Sequence, residues 1–367
     1  MKSTKNTETK TDTVPEIHKE LSNQVSVKTH KYALHIDRNK IQIAKQKCNK
    51  PKNSKHNIAM IAYFPYGLSD VFKDTIISTF PEYTNRIQFG GSLNKDNIIY
   101  KALEILPDVS LLPDILITTD FNSLYHKRFL NKFLNKENFE TLNIQYKPLF
   151  HNAGCQHPKG LITMITADLM VMVVDKTKFI GKSLPTEWYE LLNPNLKKSI
   201  VLCGNKDYFC NSIFFPFYKN YGIEAIQCLA ANVINRMHPI EMMHAINSGN
   251  QLGASIYIMP YSSAMKIVGN LNYEIVWPND GAFAIPVQLL VKKGAYSIHK
   301  ALIDFITGKQ FGNILESLDY PALNTISNNE FVYNKINWQG WDFIQKTDIQ
   351  KLKENIQGVI TQNGIGL

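Results

Sequence analysis

Short apolar runs recur along this chain, each broken by glycine or proline and followed by a stretch with one apolar side. Ile58–Tyr63 ends at Pro65 and Gly67, which predicts a buried strand leading into a helix over Ser69–Phe80. Arg86–Phe89 predicts the next strand, ending in Gly90-Gly91-Ser92 before a helix that reaches Ile105. Asp114–Thr118 predicts a third strand, and Asn122–Leu134 a helix with Leu124, Phe129 and Phe133 on one side. Strands that alternate with helices at this interval imply a parallel sheet covered by helices on both faces.

A second half repeats the grammar. Leu161–Val174 is apolar but interrupted by Thr163, Thr166 and Asp168, so it suits a long strand crossing between two lobes better than a membrane span. Ser199–Cys203 predicts a strand, followed by helices near Ser212–Asn220 and Glu224–Val233. A further helix near Glu241–Asn247 precedes a strand at Ala254–Ile258. Tyr273–Trp277 and Phe283–Val291 then carry the chain back toward the first half, and the remainder is helical, most clearly at His299–Thr307 and Asp348–Ile356. The expected organisation is a tail over 1–57, a first lobe over 58–167 plus 280–367, and a second lobe over 168–279.

Composition changes this picture at one end. With 44% hydrophobic residues in 367, the body can bury a sizeable core. The formal net charge of +9 is concentrated before residue 58, where twelve lysines and Arg38 face five acidic residues. That segment, rich in Lys, Thr, Asn and Ser, cannot bury enough apolar surface to offset its ordering entropy, so a mostly disordered basic tail is expected. Lys31–Ile36 is the exception, with apolar residues suited to docking on the body or to forming a strand. The tail lacks the interleaved aromatics that stack bases, which argues against nucleic acid as a partner. Lys2 and Lys5 are followed by polar residues where a secretory signal would place an apolar core, and no run is long enough to span a membrane. A cytoplasmic monomer is the expectation for the chain as written. Five cysteines without framework spacing fit a reducing compartment.

Three landmarks in order carry a resemblance: Pro185-Thr-Glu-Trp188-Tyr-Glu190-Leu191-Leu-Asn-Pro194, Ile256-Tyr257-Ile-Met259-Pro260-Tyr261, and Val276-Trp277-Pro-Asn-Asp280-Gly281. With Ala301–Ile306 and Trp338-Gln-Gly-Trp341-Asp-Phe343, residues 58–345 resemble the type II solute-binding proteins of ABC transporters, in the branch of iron(III), thiamine and phosphonate binders. Glu190-Leu191 replaces that family's usual Asp-Leu. The resemblance implies an α/β protein of two lobes, each a mostly parallel sheet flanked by helices, joined by a two-stranded hinge. It implies non-catalytic capture of a small anionic or metal-containing solute, with hinge closure and an ABC-transporter permease as partner.

Ligands of open parallel sheets sit at the carboxyl ends of strands, where helix N-termini present free N–H groups. The candidate ligand-binding residues at such ends are Tyr66, Gly91, Ser92, Asp120 and Phe121 on one lobe. Asn205, Lys206, Tyr208, Tyr261 and Ser262 are the candidates on the other. Iron-binding members place adjacent tyrosines after the strand that corresponds to Tyr257 and Tyr261, so these two are the ligands if iron(III) is the solute. Here Met259-Pro260-Tyr261 replaces adjacent tyrosines, and an organic ligand stacked on Tyr261, or a packing Tyr261, fits equally. No cofactor is implied.

His151-Asn-Ala-Gly154-Cys155-Gln-His157 brings two imidazoles and a thiol together, but its spacing matches no metal motif and Gly154 and Pro158 mark a surface loop. His238 and His244 read as surface histidines. Two other readings stay open: an intracellular ligand sensor or carrier on the same fold, and an enzyme on a bilobal α/β fold. The scattered Asp120, Lys206 and Asp207 form no recognisable catalytic set.

Overall fold

The computed structural model describes residues 58–91, 98–204, 210–323 and 335–362. The basic tail, including Lys31–Ile36, lies outside them. Among the described residues, ten strands form one hydrogen-bonded sheet: β1 (Met60–Phe64), β2 (Ile87–Gly91), β3 (Ile115–Thr119), β4 (Thr163–Asp175), β5 (Ile200–Cys203), β6 (Val233–Met237), β7 (Ile256–Pro260), β8 (Tyr273–Val276), β9 (Ala282–Val291) and β10 (Ile336–Asn337). The order β2-β1-β3-β9-β4-β7-β5-β6 explains how two lobes share one ladder. β1, β2 and β3 are mutually parallel on one side, and β5 is parallel to β6 and β7 on the other. Between them β4 and β9 run antiparallel to each other, β9 pairing also with β3 and β4 also with β7.

β4 is the expected crossing strand. All thirteen of its residues are buried, and a strand of that length spans about 43 Å, enough to serve both halves. Such shared strands make His56–Leu367 one compact unit while keeping a separate parallel set on each side. The chain is thus α/β, with a mixed sheet in a two-lobe arrangement.

Alternation along β1 distributes its side chains between two cores. Met60, Ala62 and Phe64 face one with Phe72 of helix α1 (Tyr66–Thr79), whereas Ile61 and Tyr63 face the other. The second core continues through both halves. Helices α2 (Ile98–Ile105), α3 (Asn211–Asn232), α4 (Pro239–Asn247), α5 (Lys309–Ser317) and α6 (Ile349–Gln362) are the longer covering elements besides α1. On α6, Ile349, Leu352, Ile356 and Ile360 make one buried stripe, and the helix packs on α3. No helix among the described residues is long and apolar enough to cross a membrane.

Four elements depart from the sequence expectation. α1 begins at Tyr66 rather than Ser69, because Pro65 takes the N-cap position, where a ring-fixed φ costs nothing. The single helix expected over Asn122–Leu134 is broken by His126, whose backbone is extended, into a turn at Ser123–Tyr125 and a short helix at Lys127–Lys132. Leu124, Phe129 and Phe133 are nevertheless all buried. The two helices expected beyond Ser212 are present, running together as α3 but separated at Gly222, whose φ of 80° and ψ of −173° are not helical, whereas β10 is a short strand in a stretch expected to be helical. β6 was not expected at all; it is an edge strand with Ile234 and Asn235 exposed, so it lacks an apolar signature.

The resemblance landmarks meet in space. Trp188 stacks on Phe283 of β9 at 4.1 Å, and its Nε1 donates to the Gly281 carbonyl at 2.7 Å. Gly281 has φ +100°, and a Cβ there would lie 2.9 Å from the Asn337 nitrogen, so the return turn needs glycine twice over.

Candidate functional site

A cleft of about 330 Å³ opens where strand ends from both halves face each other. Its floor comes from the crossing pair: Asp168 of β4 and Ile285 of β9 are register partners, and both line it. Pro65 and Gly67 at the start of α1, with Thr119 at the end of β3, supply one wall. Helix α4 with His238 at its N-cap, and Pro260 at the end of β7 with Ser262 and Ser263 beyond it, supply the other. Ser317 at the end of α5, with Leu318, Asp319 and Tyr320 after it, completes the rim.

Each polar group there has a traceable local cause. The first intrahelical bonds of α1 begin at Leu68, which bonds back to Pro65, leaving the N–H groups of Tyr66 and Gly67 ahead of them. His238 caps α4 through Nδ1, which accepts from the Ile240 N–H at 3.3 Å, while Glu241 returns to the His238 N–H at 2.8 Å. Burial lowers the His238 pKa.

Asp168 is the most deeply placed of these groups. It is 4% exposed, and its carboxylate accepts from Leu169 N–H and Ser262 Oγ, both at 3.0 Å. Tyr320 Oη lies 3.3 Å from Ser262 Oγ and is a further partner of the carboxylate. Burial outweighs these bonds and pushes the Asp168 pKa up to about 6. Asp319 is also raised by burial, with Lys266 opposing. Thr119 has a buried hydroxyl without a hydrogen-bond partner among the described residues.

Of the sequence candidates, Ser262 lines the cleft. Tyr66 is the first residue of α1, between the lining residues Pro65 and Gly67, and Gly91 closes β2. Ser92, Asn205, Lys206 and Tyr208 lie outside the described residues. Asp120 accepts from Ser212 Oγ at 2.6 Å and Asn211 Nδ2 at 3.0 Å, joining the loop after β3 to the start of α3. Phe121 stacks on Trp338 at 5.4 Å in a buried aromatic cluster. Tyr261 sets its ring edge against Trp277 at 5.5 Å, and the Tyr257 hydroxyl donates to Asn250 Oδ1 at 2.6 Å; neither tyrosine lines the cleft. Among the described residues no cluster of three or more His, Cys, Asp or Glu could hold a metal. Cys155 and His157 are buried, the thiol pushed up and the imidazole pushed down to about 4, and His157 packs edge-on against Trp341.

Sequence reasoning passed over Asp168, His238, Lys266, Asp319 and Tyr320. Only Asp168 carried a usable signal, a carboxylate inside an otherwise apolar strand.

A family model described as bacterial extracellular solute-binding protein matches residues 110–347. The periplasmic binding protein AfuA from Actinobacillus pleuropneumoniae, with exogenous fructose-6-phosphate bound, is similar at TM-score 0.60 and 14% identity, over 84% of this chain and 98% of that one. Apo ferric ion-binding protein A of Pasteurella haemolytica is similar at TM-score 0.59 and 14% identity, over 86% and 99%. An ABC transporter structure from Clostridium perfringens is similar at TM-score 0.55 and 14% identity, over 82% and 99%. Among curated proteins, no sequence matches this chain.

Proposed function

The chain belongs to the bacterial extracellular solute-binding protein family, whose members are ABC-transporter solute binders rather than enzymes, and from that premise we propose that it captures a small solute carrying an anionic group in the cleft over β4 and β9. The observation that carries this reading is the cleft itself, floored by the two crossing strands and walled by strand ends from both halves. The N-terminus of α1 at Gly67 offers backbone N–H groups and the positive end of the helix dipole to the anion. Lys266 adds a side-chain cation at the rim. A sugar phosphate of the kind named for AfuA is of a size and charge that such a cleft accommodates. Iron(III) draws no support from Tyr257 and Tyr261, which do not line the cleft.

In this reading the lobes, 58–167 with 280–367 and 168–279, hinge on β4 and β9, and the solute favours the closed form by touching both walls. The closed protein then presents the solute to its permease. Thermal-shift screening of the full chain against sugar phosphates, phosphonates, inorganic oxyanions, thiamine and iron(III) tests the solute class. Stabilisation by an organic anion that Ile240→Trp, which fills the cleft, abolishes is the expected result. Stabilisation by apolar solutes alone would count against the anionic group.

A further inference from the structure

Charges around the cleft sort unevenly. Lys266 acts on Asp319, lowering a carboxyl that burial raises. Asp168 has no such counter-charge: every partner it has among the described residues is neutral, namely the Leu169 and Ser262 N–H groups and the Ser262 and Tyr320 hydroxyls. A carboxylate almost fully withdrawn from water, on the floor of an open cleft and without a cation beside it among the described residues, is costly to keep ionised until a positive group arrives. Thr119, on the facing wall, is an independent sign of an absent partner. Its hydroxyl is buried at 2% exposure and unpartnered among the described residues, although its backbone N–H and carbonyl are both bonded to the Tyr100 hydroxyl.

We infer that the cleft contains an amine subsite, in which Asp168 receives a protonated amine of the solute and the Thr119 hydroxyl contributes a neutral hydrogen bond. The inference rests on the cleft being the solute site. With the anionic group at α1, it specifies a zwitterionic solute, such as an amino sugar phosphate or an aminoalkyl phosphate. Asp168 is the specificity-determining group, because a matched solute lacking the amine leaves its charge buried and unpaired. Ser262 and Tyr320 position the carboxylate by bonding it from the second-half and C-terminal sides.

Matched pairs test this by calorimetric titration: phosphoethanolamine against ethyl phosphate, and glucosamine 6-phosphate against glucose 6-phosphate. At least one amine-bearing member should bind about tenfold or more tightly than its partner, equivalent to about 1.4 kcal/mol. Asp168→Asn should bring that pair within about twofold. Equal binding within both pairs, a preference that survives Asp168→Asn, or no binding by either amine overturns the amine subsite. Binding that Ile240→Trp leaves unchanged instead refutes the cleft as the solute site. A marked loss of ligand-free stability in Asp168→Asn at neutral pH would make Asp168 a structural anchor and also overturn the inference.

Discussion

Asp168 carries a stability signature as well as a specificity role. Its folded pKa, about 6, lies above the unfolded carboxyl value of about 4. A carboxyl raised by folding contributes stability that is fully present below about pH 4 and is withdrawn as pH rises through about 6, a loss of roughly 3 kcal/mol. His157, lowered to about 4, acts in the opposite sense: its stability is present above about pH 6.5 and fades as pH falls through about 4. Comparing wild type with Asp168→Asn removes the histidine contribution, which both proteins share. The ligand-free melting temperature of wild type relative to Asp168→Asn should fall between about pH 4 and pH 7. A difference independent of pH would show that the bonds from Leu169, Ser262 and Tyr320 hold the carboxyl at its ordinary value.

At the scale of elements, the junction between the Trp188 turn and β9 concentrates packing energy. Trp188 is fully buried, stacked on Phe283, edge-on to Phe217 of α3, and bonded to Gly281. Trp188→Ala should cost about 3–5 kcal/mol in urea unfolding. A loss below about 1 kcal/mol would mean the neighbours collapse into the space. This junction was legible in the sequence as two landmarks in order, but their contact was not. Likewise β1, β3, β4, β5, β7 and β9 were legible because apolar runs bounded by breakers suffice for buried strands. β6 was not, because an edge strand with one solvated side has no such run. The break at His126 was equally hidden, since Leu124, Phe129 and Phe133 keep helical spacing while the backbone between them does not.

For the whole molecule, the proposed closure of the two halves has a structural counterpart away from β4 and β9: Asp120 ties the loop after β3 to Asn211 and Ser212 of α3, and Phe121 stacks on Trp338. Hydrogen bonds to a charged group are worth about 1.5–3 kcal/mol, so the tie is strong enough to bias opening. Ser212→Ala should enlarge the ligand-free radius of gyration in solution scattering, and saturating solute should bring it back. A radius unaffected by either would place the tie in every state and remove hinge closure from the mechanism. Fractionation bears on location: recovery outside the cytoplasmic membrane suits permease delivery, as for the extracellular family, whereas recovery only in the cytosol suits an intracellular carrier.

The order of apolar runs and breakers determined, without coordinates, that the chain alternates strands and helices and crosses between two halves, because local periodicity decides which segments bury both faces. It also named the loops at the ends of β1, β2, β3, β5 and β7 as candidates for the ligand site, of which those of β1, β3 and β7 contribute lining residues to the cleft. Only the tertiary structure decided which side chains on those loops face inward, setting Ser262 in the cleft and turning Tyr261 onto Trp277. It alone brought Asp168, Thr119, Lys266 and Tyr320 together from four distant segments. Side-chain direction at a strand end depends on register and packing across the shared strands β4 and β9, quantities that no local pattern encodes.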